Sequence, residues 1–293
     1  MPLVSIITPS FNKGPYIEET IQSIRNQGYT NTEHIIIDGG STDETLAILK
    51  KYNGQVSWIS EPDRGQSDAI NKGWKIARGE IIAYLNADDT YTPDAVGIAV
   101  TYLNEHPDIG VVYGDGILTD ETGKVLCPYH AGEFSMRELI YCRDNILQPA
   151  VFLRKAVYDR IGGIDEDLHL AMDLDYWIRA GLQFRIAYIP VPLATAKIYR
   201  DAKSVLLMHN YIRDYEVILK KVFSDPHLPP QLASEKNAVY TYVYTKGGLD
   251  YIHLGMTRDG LGYIWKAFWM NPLQCMADVF VLIVKYGHRK VWS

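Results

Sequence analysis

The 293-residue chain predicts an α/β fold, a mostly parallel sheet flanked by helices, with a helical C-terminal extension. Three observations predict it. Apolar, β-branched runs alternate with helical segments through the first 125 residues. Several of those runs end in an acid. Beyond residue 200 strand signals stop, and helical stretches follow, separated by Pro226, Pro229, Pro230 and Pro272.

In order, residues 3–8 read as a strand, and 15–26 as a helix opened by Gly14 and Pro15. The run Glu33–Asp38 is a second strand. It opens onto Gly39-Gly40-Ser41-Thr42, where Ser41 or Thr42 can cap a helix over 43–52. A strand at 56–60, a helix at 67–78, a strand at 80–85, a helix at 93–104 and a strand at 110–114 continue the alternation. The next stretch is less regular: helices at 135–142, 154–161 and 174–181, and strands at 150–153, 185–189 and 193–199. Helices at 204–223, 232–254, 258–269 and 273–286 close the chain. The expected division is one large domain over 1–205 and a helical extension over 206–293.

Composition narrows the function. With 47% hydrophobic and 22% charged residues the chain holds a sizeable core, and a net charge of −6 argues against nucleic-acid binding by bulk electrostatics. Cys127, Cys142 and Cys275 are odd in number and widely spaced, which fits small buried hydrophobes in a reducing compartment. No basic and apolar leader precedes Leu3. The uncharged run Val279–Val284 falls far short of the ~20 residues of a spanning helix. A cytoplasmic protein is expected.

The densest signal is Glu80–Tyr91, an apolar strand ending in Asp88 and Asp89. Ligands of open α/β sheets bind at strand C-termini. Carboxylates there suit a hard divalent cation, which in turn suits a diphosphate. The plain alternative is that Asp88-Asp89-Thr90, followed by Pro93, caps the next helix. Asp38 and Asp63 also end strands, and each acid alone reads equally as a turn or cap residue. The first strand–helix turn, Thr8–Gly14, has neither G-x-G-x-x-G spacing nor a P-loop, so any nucleotide is not cradled by glycines there.

These pieces resemble the family 2 glycosyltransferases of the GT-A (Rossmann-like) fold. The matching segments are Val4–Asn12, Ile36–Asp43, Ala69–Gly73, Gly79–Asp89 and Gly162–Asp167, and the likeness runs over residues 3–205. The resemblance implies a nucleotide-binding half over 1–115 and an acceptor half over 116–205. It implies a nucleoside held by Thr8, Pro9, Phe11 and Asp38, with Asp38 on the base and Arg64 approaching the base or diphosphate. An acid on the base favours an imide N–H, hence a UDP- or dTDP-sugar over a GDP-sugar. The family's Asp-x-Asp metal motif reads Asn86-Ala87-Asp88 here. Asp88 matches the ligand for Mg²⁺ or Mn²⁺, and Asn86 keeps an acceptor for ribose without the charge.

The family's general base is the second acid of a pair, and Met172-Asp173 takes that place. Asp173 is the implied base of an inverting single displacement; the alternative is a helix cap. Asp175 follows on the acceptor side, at the start of the helix that it stabilises. Gln148 resembles a position near the acceptor. Arg200 and Ser204 resemble a pattern that contacts the diphosphate, with loop anchoring as the alternative. The implied acceptor is a glycan, in particular a lipid-linked oligosaccharide of bacterial surface polysaccharide assembly. A processive synthase is disfavoured, because no Gln-x-x-Arg-Trp motif is present. Two other classes stay open: a sugar nucleotidyltransferase, and a non-catalytic nucleotide-sugar-binding protein.

Residues 257–293 combine Trp265, Trp269, Phe280 and Trp292 with Arg258, Lys266, Lys285, Arg289 and Lys290, against Asp259 and Asp278. That mixture suits peripheral contact with an anionic membrane on its inner face. Packing against the catalytic domain or in a homo-oligomer would use the same apolar surface.

Overall fold

The computed structural model of the chain describes residues 1–143, 145–199 and 211–287. It divides into two compact units, one of Met1–Ser135 and Asn145–Ala202, the other of Met136–Asp144 and Lys203–Ser293.

The first unit holds β1 (Val4–Ser10), α1 (Gly14–Arg25), β2 (Thr32–Asp38), α2 (Thr45–Lys51), β3 (Ser57–Ser60), α3 (Gln66–Ile76), β4 (Ile81–Tyr84), β5 (Thr90–Tyr91) and α4 (Ala95–Glu105). After β6 (Ile109–Thr119) and β7 (Val125–Tyr129) come β8 (Val151–Arg154), α6 (Lys155–Ile161), α7 (Met172–Gly181) and β9 (Arg185–Lys197). The sheet order is β3-β2-β1-β4-β8-β6-β9-β5, with β7 on β6. The β3-β2-β1-β4 half is wholly parallel, as strand–helix alternation requires. β8 then enters antiparallel to both β4 and β6, while β9 runs parallel to β6.

The second unit holds α5 (Met136–Ile140), α8 (Tyr211–Val222), α9 (Pro230–Ser234), α10 (Lys236–His253), α11 (Thr257–Met270) and α12 (Pro272–Gly287). Arg137 pairs with Glu235 at 2.9 Å, so residues 136–144 belong with the late helices.

Register levels the strand ends that matter. Ser10 lies beside Asp38 and Asp38 beside Ser60, while Ile7 lies beside Tyr84. Two buried clusters form here, and β1 contributes to one of them. Val4 and Ile6 join Ile81, Ala83, Val96 and Phe152 in one; in the other, Ile36 of β2 meets Ile17, Ile21 and Leu49. Helix α3 lies close on β1 because residue 73 is glycine: a Cβ there would stand 2.5 Å from Ile7 Cγ2. The same helix reaches forward to the turn after α6, where Asn71 accepts from the Ile164 N–H and donates to its carbonyl, both at 2.8 Å. Arg179 of α7 holds that turn from the other side, donating to the carbonyls of Ile161 (2.9 Å) and Gly163 (2.8 Å).

Three local expectations are corrected, and two strands were not expected. The strands expected at 185–189 and 193–199 are one strand, bulged against β6 at Asp115 where Pro190 and Pro192 lack the N–H for a regular ladder. β5 and β7 are not legible in the sequence: one has two residues, and the other is a largely exposed strand at the sheet's periphery. Neither Ser41 nor Thr42 caps α2. Ser41 turns its hydroxyl to Asp38, and the Thr42 N–H goes to Asn12 Oδ1. Asp88, Asp89 and Thr90 do not cap α4 either, since β5 intervenes and the cap position is Asp94.

Candidate active site

The candidate residues gather where β1, β2, β3 and β4 end. Asp38, fully buried, organises the turn after β2. Its Oδ2 accepts from the N–H groups of Gly40 (3.1 Å) and Ser41 (2.9 Å) and from Ser60 Oγ (2.7 Å); its Oδ1 accepts from Ser41 Oγ (2.5 Å). Gly40 is at φ 83°, a conformation that suits glycine. Beside this turn Ser10 Oγ is buried without a protein partner among the described residues, and Phe11 stands 59% exposed at the end of β1. An exposed aromatic ring offers a face on which a planar group can stack. Thr8 and Pro9 are buried beneath it, Thr8 hydrogen-bonded to His34 Nε2 at 2.8 Å. Burial pushes the His34 imidazole down to about 3, so it is a neutral core residue.

Asp88 projects from the end of β4 with its side chain 16% exposed, and it is not bare. Lys13 Nζ donates to its Oδ2 at 2.7 Å, Tyr199 OH donates to the same oxygen at 2.5 Å, and Lys13 also donates to Tyr199 OH. Sequence reasoning missed both partners. The available signal was Lys13 itself, at the N-cap of α1: a cation at a helix N-terminus is disfavoured by the helix dipole and needs an anion beside it.

Asn86 faces inward. Its Oδ1 accepts from Gln66 Nε2 at 2.7 Å, and its Nδ2 donates to Asp89 Oδ2 (3.1 Å) and Gln148 Oε1 (3.0 Å). Gln148 is fixed in turn by donation to the Tyr84 carbonyl at 2.8 Å. An acid at position 86 would meet two acceptors there, which gives a physical reason for the amide. Asp89 is buried and accepts from the Lys197 N–H at 3.1 Å. Burial, reinforced by the adjacent Asp88 charge, pushes Asp89 up to about 7. Ala87, between Asn86 and Asp88, is buried in the α1/α2 cluster.

Asp173 lies inside the first turn of α7, half-buried, with Oδ1 accepting from the Leu174 N–H at 3.0 Å; the cap position is Ala171. Next to it, Met172 Sδ accepts from Ser67 Oγ at 2.8 Å. Ser67 adjoins Gln66, the partner of Asn86. The start of α3 therefore touches both the segment carrying Asp88 and the segment carrying Asp173. Asp175 is buried and paired with Arg179 at 2.7 Å, so it anchors α7. Arg64, three-quarters exposed, pairs with Glu166 and, at 3.5 Å, with Asp68. Arg200 and Ser204 lie outside the described residues.

The donor set offers a divalent ion one accessible carboxylate, Asp88. Among the described residues no cluster of three or more His, Cys, Asp or Glu is arranged for a metal. That fits an ion of the Mg²⁺ type, which keeps its waters and takes one or two carboxylates plus phosphate oxygens from a substrate.

Comparison with known proteins gives the family. The chain is 34% identical over 189 residues to an uncharacterized glycosyltransferase of Mycobacterium tuberculosis, covering 62% of this chain and 70% of that one. In fold it resembles S. aureus TarS 1-349 in complex with UDP-GlcNAc, with a TM-score of 0.70 and 19% identity over 94% of this chain and 88% of that one. Against a longer TarS chain it spans 43% of that chain. It also resembles the mannosyltransferase PcManGT of Pyrobaculum calidifontis in complex with GDP-Man and Mn²⁺, with a TM-score of 0.66 and 17% identity over 98% of this chain and 81% of that one. The model of glycosyl transferase family 2 matches residues 5–160, more than half of the sequence, and the chain belongs to that family.

Proposed function

We propose that the protein is an inverting glycosyltransferase that moves one sugar from a nucleoside-diphosphate sugar to a glycan acceptor. The observation that carries this reading is the pair of acids, Asp88 and Asp173, on segments that both contact the start of α3. Asp173 takes the proton of the acceptor hydroxyl as its oxygen attacks the anomeric carbon; the bond from that carbon to the phosphate oxygen breaks, and the nucleoside diphosphate leaves. Displacement from the face opposite the leaving group inverts the configuration. Phe11 and Asp38 hold the base, and Asp88 is the residue that would hold a divalent cation. When bound, such a cation neutralises charge on the leaving diphosphate. The relatives in complex with UDP-GlcNAc and GDP-Man support the donor class.

A ligand of the native state raises its melting temperature. Of UDP-, dTDP- and GDP-sugars tested with and without Mn²⁺, a UDP- or dTDP-sugar at ~100 times its Kd should stabilise the protein by about 2.7 kcal/mol, a shift of several degrees. If no nucleotide sugar moves the transition, the donor assignment is wrong.

We also propose that the acceptor is presented at an anionic membrane, where the second unit docks. Along α11, Leu261, Trp265 and Trp269 recur every four residues, and along α12 Leu273, Met276 and Phe280 follow at helical spacing; all six are more than half exposed. No helix among the described residues is long and apolar enough to cross a membrane. Exposed tryptophans with Arg258 nearby in sequence suit the interface of an anionic bilayer. The protein should float with phosphatidylglycerol vesicles and much less with phosphatidylcholine. Joint replacement of Trp265, Trp269 and Phe280 by Glu should weaken vesicle binding by about tenfold or more. Equal flotation of the variant, or wild-type dimers that ignore vesicles, would replace the membrane by another partner.

A further inference from the structure

The ion pair on Asp88 does more than balance charge, and the role inferred for it rests on the proposed binding of a nucleotide-sugar donor. Asp88 Oδ2 receives both the Lys13 ammonium at 2.7 Å and the Tyr199 hydroxyl at 2.5 Å, and the ammonium closes the ring by donating to the same hydroxyl. The ring of Tyr16 lies 5.9 Å from Lys13 Nζ, a cation–π distance that adds a second hold on the ammonium. The Lys13 backbone is fixed too: its N–H donates to Thr45 Oγ1 at 3.0 Å, and its carbonyl accepts from the N–H groups of Tyr16 and Ile17. Only the side chain is free to change partner.

A divalent ion approaching Asp88 either displaces two donors from Oδ2 or takes Oδ1 alone against the charge of the ammonium held beside it. Asp89, buried and engaged by Asn86 and Lys197, offers no second accessible carboxylate to help it. A diphosphate changes the balance. It brings two or more negative charges to an ammonium whose third N–H has no acceptor among the described residues, and it supplies the remaining ligands that a Mg²⁺-type ion needs.

We propose that Lys13, backed by Tyr199, is a resident cation that occupies Asp88 in the free protein and transfers to the donor diphosphate. The transfer frees Asp88 for the metal ion. Donor and metal thus bind in order, donor first, and Lys13 gives the donor an affinity that needs no metal. The coupling is reciprocal, as linkage demands.

The test uses the full chain with Lys13→Met and Lys13→Arg, both at a partly exposed side chain. Mn²⁺ binding is followed by electron paramagnetic resonance without nucleotide, and UDP and uridine binding by calorimetry in EDTA, with GDP and guanosine in parallel. Lys13→Met should bind free Mn²⁺ about tenfold or more tightly than wild type. In EDTA it should lose a comparable factor in UDP affinity while uridine affinity stays unchanged; a purely structural role would not move that ratio. Lys13→Arg should restore the UDP preference. Lys13→Met matching wild type in either measurement overturns the proposal, even where UDP binds both proteins well. If neither UDP nor GDP binds wild type with or without Mn²⁺, the donor reading fails and takes this inference with it.

Discussion

Asp173→Asn is expected to lower turnover by about 10³-fold while leaving donor affinity within about twofold of wild type. The amide is isosteric and cannot take a proton from the acceptor hydroxyl. The bond accepted from the adjacent Leu174 N–H is one that an amide oxygen can also provide. The cap of α7 does not depend on it, since Ala171 holds that position. Transfer measured at saturating donor, together with the donor-induced rise in melting temperature, separates the two effects. Residual transfer within tenfold of wild type would remove Asp173 from the role of base, and a lost thermal shift would mean that the substitution disturbs the donor site instead.

The second large effect concerns Asp38. Truncation to Ala strands four donors: two backbone N–H groups and the hydroxyls of Ser41 and Ser60. Two of them are amides of a turn that cannot rearrange without moving Gly40 out of its left-handed conformation. The cost should be about 3–5 kcal/mol, roughly 10 °C in the melting temperature. Asp38→Asn should cost much less. Its oxygen can keep the three bonds on the Oδ2 side, and the Ser41 hydroxyl can rotate to accept from the new NH₂. The pair of variants then separates scaffold from recognition. An acid that reads an imide N–H loses that reading on amidation, so Asp38→Asn should fold yet bind a uracil nucleotide at least about tenfold more weakly. Equal stability of the Ala and Asn variants would show that the four hydrogen bonds are not what holds the turn.

Legibility followed the range of the interactions. The parallel half can be read because its strands alternate with helical segments, β2 ends on an acid, β4 follows one, and the helices start within about two residues of their expected positions. The long β9 reads as two strands, because prolines inside a strand look like punctuation unless a partner accommodates a bulge. At the site, Asp88 and Asp173 stand out as acids at element ends. Their surroundings do not. Lys13 and Asp88 are 75 residues apart, and Tyr199 is 111 residues from Asp88, so only the fold reveals that they meet. Asn86 reads as an acceptor for a ribose, and nothing in the sequence shows that it is bonded to Gln66, Asp89 and Gln148. Asp89 reads as a cap and is a buried acid, since the two residues of β5 stand between it and the helix that it seems to begin.

Asn71 sits on the helix that supports the donor half, yet both of its polar ends are committed to the main chain of Ile164. The loop that follows α6 thus borrows its shape from a residue more than ninety positions upstream. Transplanting that loop from a related enzyme to alter acceptor choice would leave the amide gripping a foreign backbone. On the proposed assignment of halves, the donor-side helix and the loop beyond α6 are consequently tied directly through the Asn71 amide, so an exchange of that loop has to keep a main chain that meets it.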